Sequence, residues 1–138
     1  MPDPALGRTF ALFARSGRRV LVVDDDAAVR ELIAEGLEEL GYSVLAAASG
    51  EAALALLLNS RGADRRATGA NAPVLAIIDA QLPRLSGLDL AERLLAARPA
   101  LKVLMISGYF VPRGVPWRVL RKPFHMDQLA AAVREEIG

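Results

Sequence analysis

Short apolar runs alternate along the chain with longer stretches whose apolar positions recur every three or four residues. Arg19 to Val23 (RVLVV) is a continuous run suited to a strand covered on both faces. After it, Val29, Leu32, Ile33, Leu37 and Leu40 fall at helical spacing, and Gly41 stops that helix. Tyr42 to Ala46 predicts a second strand, and Ser49 can cap a helix over Glu51 to Leu58, a stretch rich in Ala and Leu. Residues 59 to 72 carry Asn59, Gly62, Gly69 and three arginines, and predict a long polar loop inserted before the third strand. That strand, Val74 to Ile78, is the most strand-like run in the chain, is expected at the centre of the sheet, and ends at Asp79. Ser86 and Asp89 make a capping-box-like start for a helix carrying Leu88, Leu90, Ala91, Leu94 and Leu95, which Pro99 ends. Lys102 to Ile106 and Trp117 to Leu120 predict strands four and five, and Leu129, Val133 and Ile137 place the last helix over Asp127 to Ile137. Five strands alternating with helices predict an α/β, doubly wound parallel sheet.

Composition narrows the function classes. The 138 residues suit one domain, and 53% apolar content with 24% charge argues against disorder. Uninterrupted apolar runs such as Ala52 to Leu58 are far below the roughly 18 residues that span a bilayer, so no membrane segment is expected. Asp3, two prolines and four arginines break up the first nineteen residues, which therefore lack the apolar centre of a signal peptide; a cytoplasmic location is expected. With no cysteine and one histidine, thiol chemistry and zinc sites are excluded, so any metal must be hard and oxygen-bound. The formal charge of +1 is unevenly spread: residues 1 to 19 hold four Arg against one Asp, residues 59 to 72 three Arg against one Asp, and the remainder is net acidic. Arg8, Arg15, Arg18 and Arg19 come with no recognition motif, so they read as a solvated basic surface and no direct nucleic-acid contact is expected.

In a doubly wound sheet ligands bind beyond the carboxyl ends of the strands, so the informative residues are those that follow each strand. Strand one leads into Asp24, Asp25 and Asp26, strand three ends in Asp79, strand four leads to Ser107, and strand five leads to Lys122 and Pro123. Singly, each has a plain explanation: Asp26 reads as a helix N-cap and Ser107 could begin a turn with Gly108. Lys122 is more telling, because the chain uses fifteen Arg and only two Lys, which suggests a need for a compact, mobile charge. Together the acids, hydroxyl and ammonium converge on one rim.

With these residues in place the sequence, over about residues 19 to 138, resembles the receiver domain of bacterial two-component response regulators. The matching pieces are VLVVDD at 20 to 25, Asp79 followed by Pro83 and Gly87, VLMISG at 103 to 108, and Lys122-Pro123-Phe124. The resemblance implies a flavodoxin-like sheet of order 2-1-3-4-5. It makes Asp79 the phosphoacceptor, attacking a phosphohistidine on a sensor histidine kinase or a histidine phosphotransfer protein. Mg²⁺ would be held by Asp24, Asp25, Asp79 and the backbone carbonyl of Gln81, Lys122 would supply a second positive charge, and Ser107 would donate its hydroxyl to a phosphoryl oxygen and act as the switch. An unidentified downstream protein would read the result. Pro123 suggests a fixed peptide, with cis among the options.

Two departures from that family stand out. Between Ser107 and Lys122, Pro112, Gly114 and Pro116 oppose a regular helix, so the fourth helix is expected to be short or absent. Val119 stands where the family usually has Tyr or Phe. Residues 1 to 18 are expected to form a disordered or lightly packed N-terminal arm ahead of a receiver domain at 19 to 138, the alternative being that Phe10, Leu12 and Phe13 cover an apolar patch left by the missing helix. Tyr109 could tune water access or simply pack. His125 reads as a capping or solvent residue and Trp117 as an anchor of strand five. Only sixteen residues follow Lys122, so no attached DNA-binding domain is expected. Two alternatives remain: a phosphorylation-independent binding module of the same shape, and a haloacid-dehalogenase-like phosphohydrolase suggested by the Asp-x-Asp spacing at 24 to 26. The second is opposed by Ala27 and Ala28 where that family has Gly and Thr or Val.

Overall fold

The computed structural model describes residues 18–58, 72–109 and 114–138. Five strands alternate with helices in the order β1 (Arg19–Val23), α1 (Ala27–Glu39), β2 (Ser43–Ala47), α2 (Gly50–Leu58), β3 (Leu75–Asp79), α3 (Gly87–Ala97), β4 (Lys102–Ser107), β5 (Arg118–Arg121) and α4 (Met126–Ile137). All strand pairs are parallel, and the sheet runs β2-β1-β3-β4-β5. The predicted strands are all present; β2, β3 and β5 each sit one residue later than the apolar runs suggested. Pairing explains the shift: Val74 donates its N–H to the Arg19 carbonyl but remains outside the ladder, where it is 37% exposed.

The continuous apolar runs are buried on both faces. Every residue of β3 is buried, as its central place demands, and alternate residues of β1 and β3 feed two cores. Leu21, Val23, Ala76 and Ile78 pack with Leu90, Ala91 and Leu94 of α3 and Ala53 and Leu57 of α2. Val20, Val22, Leu75 and Ile77 pack with Ile33 and Leu37 of α1 and Leu129 and Val133 of α4. Each such Val, Leu or Ile contributes about 1.5–3 kcal/mol by leaving water, which makes the sheet a rigid platform for whatever stands at its rim.

The helix ends follow their local chemistry. Asp26 accepts hydrogen bonds from the N–H groups of Ala28 and Val29 at 2.9 and 3.3 Å, Ser49 accepts from Ala52 at 3.0 Å, and Ser86 accepts from Asp89 at 3.2 Å. His125 occupies the N-cap position of α4, where its backbone N–H donates to the Gln128 side chain at 2.7 Å. Gly41 takes φ 96°, the left-handed conformation that lets the chain leave α1 and turn into β2. Trp117 is partly buried against the β4 side of the sheet and its indole N–H has no hydrogen-bond partner, so it anchors the entry to β5 by packing alone.

Among the described residues no helix lies between β4 and β5: Gly108 and Tyr109 follow one strand and residues 114–117 precede the next without helical structure. Pro112 and residues 110–113 as a whole, the arm with Phe10, Leu12 and Phe13, and the insertion at 59–71 lie outside the described residues.

Candidate functional site

Parallel register carries the polar residues to one place. Val23 pairs with Ile78, so the next residues on each strand, Asp24 and Asp79, emerge side by side at the rim. Asp79 pairs with Ile106, which brings Ser107 alongside, and Ser107 pairs with Arg121, which sets Lys122 next in line. Backbone hydrogen bonds hold these strand ends together: Ala80 N–H to Ile106 O at 2.8 Å, and Lys122 N–H to Ser107 O at 2.8 Å. The Lys122–Pro123 peptide is cis, within the options left open by the sequence.

Asp24, Asp79 and Ser107 are buried, with 1%, 5% and 0% exposure, whereas Asp25 is exposed. The carboxylates of Asp24, Asp25 and Asp79 each place an oxygen within 4.8 Å of the others. Lys122 Nζ lies 3.6 Å from Asp24 Oδ2 and 3.5 Å from Asp79 Oδ2. At an effective dielectric near 20 each of these pairs attracts by about 4.7 kcal/mol, while two carboxylate oxygens no more than 4.8 Å apart repel by at least about 3.5 kcal/mol. One ammonium therefore faces two buried carboxylates and offsets their repulsion without neutralising both. Burial pushes the Asp24 carboxyl above its ordinary value; the Asp26 N–H hydrogen bond opposes this, the Asp79 charge adds to it, Lys122 opposes it and Asp25 adds again.

Backbone donors orient both buried acids. The Asp26 N–H reaches Asp24 Oδ1 at 2.9 Å and the Gln81 N–H reaches Asp79 Oδ1 at 2.9 Å. Asp24 Oδ2, by contrast, is buried without a hydrogen-bond partner, with the Lys122 ammonium 3.6 Å away. A desolvated carboxylate oxygen without a donor, beside two further carboxylates, suits a hard oxygen-seeking cation such as Mg²⁺. The donor set fits.

Three contacts at the site were not legible in the sequence, although Gly87 itself belongs to the matched motif. The Arg30 guanidinium donates to the Asp24 backbone carbonyl at 2.8 Å, fixing the turn between β1 and α1; its place on the first turns of α1 was the only signal. Gly87 packs so closely on the end of β3 that a Cβ there would lie 2.2 Å from the Asp79 carbonyl oxygen and 2.7 Å from Ala80 Cα. The Gln81 side chain, expected to matter only through its backbone, lies 3.1 Å from Ser107 Oγ. Tyr109 is 72% exposed, and its backbone, not its ring, meets Ser107.

The fold and the sequence are similar to those of known proteins. The response regulator receiver domain family matches residues 20–134. Response regulator MprA of Mycobacterium sp. (strain KMS) is 34% identical over 126 residues, covering 84% of this chain and 49% of that protein, so the chain spans about half the length of the curated relatives it matches. Among solved structures, the response regulator TrrA of Thermotoga maritima, in complex with Mg²⁺-BeF, superposes with a TM-score of 0.72 at 28% identity over 87% of this chain and 99% of its own. A CheY-like receiver domain protein from Methanospirillum hungatei does so with a TM-score of 0.71 at 28% identity over 86% of this chain and 91% of its own. The chain, a five-stranded parallel sheet with a buried aspartate pair, a lysine and a serine at its carboxyl rim, matched over residues 20–134 by one family, belongs to the receiver domains of two-component response regulators, the phosphoryl-accepting signalling domains of those systems.

Proposed function

We propose that Asp79 is the phosphoacceptor. One of its carboxylate oxygens attacks the phosphorus of a phosphohistidine carried by a sensor histidine kinase or a histidine phosphotransfer protein; the P–N bond breaks, its electron pair returns to the imidazole, and an aspartyl phosphate forms. The observation that carries this is the buried Asp79 carboxylate, held by the Gln81 N–H on one oxygen and facing Lys122 on the other. Lys122 balances charge on the incoming phosphoryl oxygens, and Ser107 offers them its hydroxyl. Asp24, Asp25, Asp79 and the Gln81 carbonyl would hold Mg²⁺, which supplies positive charge against the carboxylates and the phosphoryl group. The phosphorylated domain signals through contacts with a downstream protein in the cytoplasm.

Val119 is partly buried on β5 and too short to sweep between two positions as an aromatic ring would, so the output surface differs from that of receivers with Tyr or Phe there. Beryllofluoride with Mg²⁺ tests the assignment: tight binding by the native chain and loss of binding in Asp79→Asn are expected, and equal binding by both would defeat it. Mapping of a base-labile adduct by mass spectrometry after incubation with acetyl phosphate then identifies the residue directly.

A further inference from the structure

We infer that the Gln81 side chain is a latch on the Ser107 hydroxyl, holding it in the resting position and setting how readily the domain accepts a phosphoryl group. The inference rests on the reading of Asp79 and Ser107 given above. Ser107 is fully buried, and its Oγ has three polar neighbours: Gln81 Oε1 at 3.1 Å, the Tyr109 carbonyl at 2.8 Å and the Tyr109 N–H at 3.1 Å. A serine hydroxyl has one proton and two lone pairs. The Tyr109 N–H takes one lone pair, and the proton goes to either the Tyr109 carbonyl or Gln81 Oε1. With the Gln81 amide turned over, its NH₂ donates into the second lone pair while the proton stays on the Tyr109 carbonyl, and every valence of the hydroxyl is filled. In the first arrangement the acceptors on Gln81 and Tyr109 compete with a phosphoryl oxygen for the proton; in the second the Tyr109 carbonyl holds the proton while the Gln81 NH₂ holds the oxygen in its resting position.

Gln81 also reaches the acceptor. Its backbone N–H donates to Asp79 Oδ1 at 2.9 Å, so one residue clasps the phosphoacceptor with its main chain and the switch serine with its side chain, across the ends of β3 and β4. Drawing the Ser107 hydroxyl toward a group on Asp79 requires the Gln81 contact to open. The resting population held by the latch lowers apparent affinity in proportion to its stability, so removal of the side chain should raise affinity. One net hydrogen bond corresponds to about 2- to 12-fold in an equilibrium constant, and because the Gln81 side chain is exposed to competing water the lower part of that range, about 2- to 5-fold, is expected.

The test is the dissociation constant for beryllofluoride, at saturating Mg²⁺, of the native chain, Gln81→Ala, Gln81→Met and Gln81→Asn, each also in a Ser107→Ala background. Methionine keeps the length without the amide, and asparagine keeps the amide without the reach. The latch predicts tighter binding by all three variants and no gain once Ser107 has lost its hydroxyl. Unchanged or weaker binding by the Gln81 variants overturns it. So does a gain of the same size with Ser107→Ala, which would mean that the side chain acts on access to Asp79 and not on the hydroxyl. If native binding is lost in Asp79→Asn but unaffected by Gln81 substitution, the latch alone fails; if the native chain does not bind beryllofluoride, or binds it equally with Asp79→Asn, the phosphoacceptor reading fails and the latch with it.

Discussion

Lys122→Met tests the charge balance of the site most directly. The substitution keeps an apolar stem of similar length and removes the only ammonium within reach of Asp24 and Asp79 among the described residues. Two attractions of about 4.7 kcal/mol each disappear, while the repulsion between the carboxylates, at least about 3.5 kcal/mol, remains. The full difference is not realised, because the lysine regains its own desolvation cost and one carboxyl can take up a proton. Breaking a fully buried pair costs about 3–5 kcal/mol, and with the lysine side chain 29% exposed the expected loss falls below most of that range, at about 2–3 kcal/mol. For a chain of 138 residues that is a fall in Tm of roughly 7–10 °C. Differential scanning fluorimetry in EDTA and across a Mg²⁺ titration reads it. A divalent cation at the acidic cluster takes over part of the missing charge, so the Mg²⁺-induced rise in Tm should be larger in the variant than in the native domain. A metal-free Tm within about 2 °C of native, or equal Mg²⁺ increments in both, would refute the electrostatic account of the site.

Three further outcomes follow from the same geometry. The Asp24 carboxyl sits above its ordinary value of 3.8, so its contribution to stability is fully present below that value and is lost as pH rises through the raised one. Asp24→Asn should therefore raise the metal-free Tm at neutral pH, lose that advantage below about pH 3.8, and abolish the Mg²⁺ response; a variant less stable than native at neutral pH in EDTA would contradict it. Gly87→Ala forces a methyl group to within 2.2 Å of the Asp79 carbonyl, so either α3 or the end of β3 must move, costing about 1–3 kcal/mol with loss of beryllofluoride affinity; native-like Tm and affinity would show that the contact yields freely. We propose that residues 19–138 fold independently of the arm, so deletion of residues 1–17 should leave Tm and the emission maximum of Trp117, the sole tryptophan, unchanged; a red shift with a lower Tm would mean that the arm covers the indole.

Much of this was legible because the relevant physics is local or periodic. A continuous run such as Val20 to Val23 has to be covered on both sides, and in a parallel sheet covered by helices the next residue must emerge at the rim. The caps at Asp26, Ser49 and Ser86 depend only on a side chain reaching a backbone N–H two or three residues ahead, and each forms as the spacing predicts. The prolines and glycine between Ser107 and Lys122 argued against a helix by steric rules alone, and the described part of that segment has none.

The sequence by itself determined the alternation of elements, the parallel sheet and the list of groups at its carboxyl end, since period, capping and burial are properties of neighbouring residues. The family resemblance already implied the strand order 2-1-3-4-5, which the sheet has; only the tertiary structure decided the register and the distances, that Lys122 divides its charge between Asp24 and Asp79, and that Asp25 stands in water. Distances between residues 43, 55 or 98 positions apart are set by register, and the contacts of Arg30, Gly87 and the Gln81 side chain by packing around it. Coulomb energy and hydrogen bonding depend on those distances, and no spacing along the chain encodes them.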